Sequence, residues 1–124
     1  MNNAWDFADV WVFAAIGVHG RRCSLTEVVA SGDWINHAIL SDVEMGTALG
    51  RLAGAGLVLV YDDWTFELTD DGASLWSDTR RDLRGNLDAV ARDLAVVEPG
   101  ATAISLPGDL LAEAVEEYRR HVDA

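Results

Sequence analysis

The stretch RLAGAGLVLVYDDWTFELTDDG, from Arg51 to Gly72, decides the fold. It begins as the end of an amphipathic run and breaks at Gly54, Ala55 and Gly56, where glycine supplies the left-handed conformation that stops a helix. Leu57 to Tyr61 then reads as a strand and Asp62-Asp63 as a tight turn. Trp64 to Leu68 reads as the returning strand, with Trp64, Phe66 and Leu68 on one face and Thr65 and Glu67 on the other. Thr69 to Gly72 caps a new helix. Helix end, β-hairpin and helix start thus follow one another directly.

Upstream, Ser41 to Glu44 is a capping box that opens a third helix reaching about Ala53. Val43, Met45, Leu49 and Leu52 are its predicted inward positions, and Asp42, Glu44, Thr47, Ala48 and Arg51 its outward ones. Ser24 to Glu27 is another capping box, opening a second helix that Ser31, Gly32 and Asp33 stop after about two turns. Trp34 to Leu40 reads as a turn of helix and a loop. A first helix is predicted from about Asn3 to Val18, because Trp5, Ala8, Trp11, Val12, Ala15 and Ile16 recur at three- and four-residue spacing. Asn2 or Asn3 would cap it, Asp6 and Asp9 suit its positive end, and Gly17 and Gly20 frame its exit.

Downstream, Trp76, Leu83, Leu87, Val90, Leu94 and Val97 form a heptad-like stripe, with Gly85 a point of weakness. Glu98 to Gly108 is the one linker-like segment. Leu111, Val115, Tyr118 and Val122 mark a last amphipathic helix. The fold class is mainly α with a small β-hairpin (α+β), in a single domain: a core over residues 1–76 and a C-terminal helical extension over 77–124. The stripes around Leu83, Leu87, Val90 and Leu94 and around Leu111, Val115 and Tyr118 are the candidate dimerisation surface, since each must bury its apolar face. A homodimer is expected.

The 124 residues carry 21 acids against nine cations, all of them arginine, for a net charge of −12. Residues 24–72 hold nine acids and only Arg51, a local charge of −8. Nucleic-acid affinity comes largely from cations that release counterions, so this balance disfavours duplex DNA as a partner. One cysteine, Cys23, excludes an intrachain disulfide and fits a reducing cytoplasm. The first ten residues lack the basic stretch of a signal peptide, and the longest apolar run, Val10 to Val18, is too short for a membrane span. A cytoplasmic location with no membrane partner is expected.

Three helices, a hairpin and a further helix is the order of a winged helix-turn-helix domain. Arg51 to Val58, followed by the hairpin and Phe66 to Gly72, resembles the end of a recognition helix, the wing and the "LT-x-x-G" start of the next helix in MarR-type and PadR-type bacterial regulators. Asp33 to Ile39 is similar to a segment of uncharacterised bacterial winged-helix proteins. The resemblance implies that the third helix would enter the major groove, that the wing would touch the DNA backbone, and that terminal helices would make a dimer. In this chain those positions show Asp42 and Glu44 at the helix start and Asp62 and Asp63 at the wing tip.

Other polar groups have plain structural readings. Arg21-Arg22 and the cluster Arg80, Arg81 and Arg84 read as surface pairs with neighbouring acids. His19 and Cys23 straddle a loop and lack the further ligands a metal needs, and no cofactor is expected. Asp33, Asn36 and His37 read as hydrogen-bonding groups of the second connection. Of the five tryptophans, Trp34 and Trp64 are the ones expected to be partly exposed.

The function expected from sequence is that of a non-catalytic winged-helix regulator working mainly through protein contacts. Its face would be Asp42, Glu44, Thr47, Ala48, Arg51, Asp62, Asp63 and Trp64, and its unknown partner basic. The alternative is a DNA-binding transcriptional regulator with an atypical acidic recognition helix and wing. A remote alternative is an enzyme using His37 oriented by Asp33.

Overall fold

A computed structural model describes residues 5–77, 87–102 and 104–123. Among these the chain is mainly helical: α1 (Phe7–Gly17), α2 (Leu25–Asn36), α3 (Asp42–Gly54), α4 (Asp70–Ser77), α5 (Leu87–Leu94) and α6 (Leu110–Asp123). Three short strands, β1 (Cys23–Ser24), β2 (Val58–Val60) and β3 (Thr65–Leu68), form one antiparallel sheet in the order β1-β3-β2. The hairpin falls where the sequence puts it, with Val58 opposite Leu68 and Val60 opposite Phe66. β1 adds a third strand that the sequence reading lacks. Its two residues, Cys23 opposite Phe66 and Ser24 opposite Thr65, are too few to show an alternating pattern.

α1 is buried on almost every side, from Asp9 to Gly17, and the other elements gather around it. It starts at Phe7 with Asp6 as N-cap, not at Asn3. α2 corrects the sequence reading more sharply. It does not stop at Ser31 but continues to Asn36 and ends on His37, whose left-handed backbone (φ 54°) closes the helix through an N–H bond to the Asp33 carbonyl. Ser31 and Gly32 are packing residues. The Trp11 indole N–H donates to the Gly32 carbonyl at 2.9 Å, and the Ser31 hydroxyl lies 2.6 Å from the Ala15 carbonyl oxygen. Gly17 is likewise filled from outside, by the ring of Trp76.

The "LT-x-x-G" signature has a local cause. The Thr69 hydroxyl donates to the Gly56 carbonyl at 2.6 Å and accepts the Gly72 N–H at 3.0 Å, so one side chain closes the end of α3 and caps α4. Gly72 has no side chain because the Leu57 carbonyl occupies that space.

The heptad-like stripe is described only in part. Leu83 and the arginines at 80, 81 and 84 lie outside the described residues. α5 packs on α1 and α4, whereas α6 packs on α2, so neither C-terminal helix is the other's main neighbour. Val90, Leu94 and Leu111 are buried within the single chain, with Leu87, Val115 and Tyr118 packed at the core's edge. Val122, the last residue of the α6 stripe, is exposed. Trp5 secures α5: its indole N–H lies 2.9 Å from the Leu94 carbonyl oxygen, which also accepts the Val97 N–H, and 2.7 Å from the Val97 carbonyl oxygen.

One ion pair ties these parts together. Asp9 is 1% exposed, and its Oδ2 accepts from Arg51 Nε at 2.8 Å and from the Asp6 N–H at 2.8 Å. Removing one member of a buried pair typically costs about 3–5 kcal/mol, because the other charge is left in the interior. Arg51 is partly exposed, so Arg51→Met is expected to lower the unfolding free energy by about 3 kcal/mol in urea titrations. Asp9→Asn combined with Arg51→Met should recover part of that loss.

Candidate functional site

The residues that the sequence puts on a partner face lie on α3 and the wing, and the structure divides them. Met45, Ala48, Leu49 and Leu52 form the inward stripe of α3. Ala48 is therefore core and not surface. Val43, expected inward, is 76% exposed, because the stripe at 45, 48, 49 and 52 turns position 43 away. Arg51 is bound to Asp9 and stacks toward Trp5, with its guanidinium carbon 5.7 Å from the ring centre. Asp42, Glu44 and Thr47 are exposed, as expected.

One flank of α3 is met by the chain itself. Gly46, Gly50 and Gly54 recur every fourth residue, and the backbone of residues 100–102 and 104–105, a strap, lies against them. The Gly100 N–H donates to the Arg51 carbonyl at 3.0 Å. A Cβ at Gly46 would strike the Ile104 carbonyl, and one at Gly50 the Thr102 carbonyl. Gly46 and Gly50 are buried. Within Glu98 to Gly108, read from sequence as a linker, the backbone of residues 100, 102 and 104 thus touches α3. The signal was present as glycines at 46, 50 and 54 in a helix otherwise well capped.

The hairpin tip is less bare than its composition implies. Asp63 Oδ1 accepts from the Thr65 hydroxyl at 2.6 Å and from the Thr65 N–H at 3.2 Å, which holds the turn and lowers the Asp63 pKa. Arg22 pairs with Asp63 at 3.3 Å and lies 3.6 Å over the Tyr61 ring. Asp63 is therefore a turn-forming residue with a cation beside it. Asp62 is exposed, and Trp64 is half-buried in a left-handed conformation (φ 59°).

Arg21 pairs with Glu27, so both members of the Arg21-Arg22 pair are engaged, with partners the sequence reading did not name. The Arg21 guanidinium, followed by the Ser24 N–H, brings the Glu27 carboxyl down to about 2. His19 Nε2 sits 3.1 Å from the Glu27 carbonyl oxygen and 3.2 Å from the Ser31 hydroxyl. Cys23 is buried, and burial pushes its thiol up to about 12, which makes it a poor nucleophile. Among the described residues no group of three or more His, Cys, Asp or Glu is placed to hold a metal. The Asp33 carboxylate is taken by the Tyr118 hydroxyl at 2.6 Å, which ties α6 to α2, and the only tie from His37 to Asp33 is its backbone N–H to the carbonyl.

Two clefts flank the start of α3. One, of about 660 Å³, lies against α6 and is lined by Leu40, Asp42, Leu111, Val115, Arg119 and Arg120. The other, of about 420 Å³, lies against the start of α1 and is lined by Asp6, Phe7, Trp11, Val43, Glu44 and Thr47. No helix among the described residues is long and apolar enough to cross a membrane. Comparison with known proteins finds no matching family model, no matching curated protein and no matching solved structure.

Two measurements test this geometry. Alanine favours a helix over glycine by ~1 kcal/mol, but crowding a packed site costs about 1–3 kcal/mol. A backbone carbonyl cannot swing aside like a side chain, so Gly50→Ala should destabilise and open residues 99–106 to proteolysis. The second concerns Glu27, whose folded pKa lies below its ordinary 4.5. Its stabilisation is present above pH 4.5 and is lost as pH falls toward about 2. Glu27→Gln should therefore lower the melting temperature at neutral pH and have little effect near pH 2, with a small amplitude because the pair is exposed.

Proposed function

We propose that this chain is a winged-helix regulatory protein that acts mainly through protein contacts and neither reads duplex DNA nor catalyses a reaction. The acidic, exposed start of α3 carries the reading. A helix that reads bases must lay its outward residues against base edges in the major groove. Here the exposed start of α3 presents Asp42 and Glu44 where base edges would be met, and the flank of Gly46 and Gly50 is filled by the backbone of residues 102 and 104. Three helices followed by the hairpin support the winged-helix part. The pairing of Arg22, Arg21 and Arg51 with acids supports the rest, because these cations are engaged within the chain.

The test is fluorescence anisotropy with a labelled random-sequence duplex at physiological salt. Ordinary DNA-binding proteins hold non-specific duplex at roughly 10⁻⁴ to 10⁻⁶ M under such conditions. This protein is expected to show no binding in that range. Sub-micromolar binding with a steep salt dependence would overturn the reading and restore the DNA-binding regulator.

A further inference from the structure

We propose that the cleft between the starts of α1 and α3 docks a basic amphipathic segment of a partner protein. A large apolar side chain of that segment would seat on Phe7, Trp11 and Val43, with Arg or Lys on either side facing Asp6 and Glu44. The inference rests on the protein-contact reading above and names where that contact falls and what chemistry fits it.

Two observations meet at this cleft. The first is apolar exposure. Phe7 is 55% exposed and Val43 76%, and both line the same cleft over the buried Trp11, whose ring centre lies 6.1 Å from that of Phe7. Large apolar side chains grouped around a concavity, with a polar rim, are what a docking site presents. The second is charge. Asp9, Glu27 and Asp63 each have an arginine within the chain. Asp6 and Glu44, on the rim, form no ion pair among the described residues, and Glu44 spends one carboxylate oxygen on the Ser41 N–H at 2.9 Å. In a chain of net charge −12 the rim adds to a field that draws in cations and repels acids. An apolar floor selects a large side chain, and the acidic rim selects its neighbours.

The experiment selects a random-peptide phage library on the whole protein and titrates the enriched sequences as labelled synthetic peptides. Phe7→Ser with Val43→Ser removes the floor. Asp6→Asn with Glu44→Gln removes the rim charge and keeps the Glu44 side chain's reach to the Ser41 N–H. These side chains are exposed, so both variants should keep the wild-type near-ultraviolet circular dichroism. Enriched peptides should carry Trp, Phe or Leu flanked by Arg or Lys, and should bind either variant roughly tenfold more weakly. Added salt should weaken binding to wild type more than to the charge variant. Failure to enrich any sequence, peptides without basic flanks, or equal binding to the variants would each overturn the proposal. So would a wild-type dimer that the floor variant converts to monomer in sedimentation, since a second copy would then be the occupant. Peptides that bind elsewhere would sink the cleft and leave the protein-contact reading standing, whereas tight duplex binding would sink that reading itself.

Discussion

The buried pair of Asp9 and Arg51 is the constraint on which the rest of the architecture depends. Asp9 sits in the first turn of a helix whose next eight residues are all buried. A carboxylate there would be expelled unless a cation met it, and Arg51 reaches it from the last turn of α3. That contact sets α3 across α1. The same arginine's carbonyl receives the Gly100 N–H, which fixes the strap, and its guanidinium leans toward Trp5, which in turn holds the end of α5. A buried ion pair is weak evidence of net stability, but it specifies an arrangement, because an alternative packing would strand a charge.

The strap gives α3 a different character from its place in the order of elements. The sequence from Asp42 to Gly54 serves two packing surfaces at once, a core of Met45, Ala48, Leu49 and Leu52 and a groove of Gly46, Gly50 and Gly54. Glycine costs helix stability, and three of them in one helix need a return. The return is close approach of backbone to backbone, which brings the Thr102 and Ile104 carbonyls directly onto the helix. α3 is thus packed along its core stripe and along the flank of Gly46 and Gly50, while Asp42, Val43, Glu44 and Thr47 stay exposed at its start.

Pairing of charge leads to the same place. Arg21, Arg22 and Arg51 each answer an acid that the local fold needs: Glu27 of a capping box, Asp63 of the wing turn, and Asp9 of the core. The acids left over at the start of α3 are those with no local structural debt beyond Glu44 closing its own capping box.

What the sequence by itself determined was every local feature with a short-range cause. The capping boxes at Ser24 and Ser41, the hairpin from Leu57 to Leu68, the mainly helical class and the exposure of Trp34 follow from hydrogen bonds and patterns within a few residues. Where the reading failed, a distant partner had overruled a local preference. Gly32 did not end α2, because Trp11 from α1 packs and bonds there. Arg51 is not a surface cation, because Asp9 lies 42 positions away in sequence but 2.8 Å away in space. Val90 and Leu94 are core residues of the single chain, because α5 packs on α1. Gly46 and Gly50 carried no reading in the sequence, because nothing near them in sequence shows the backbone that packs on them. Short-range causes are written in the order of residues; which surfaces stay free depends on long-range contacts, and only the tertiary structure decides those.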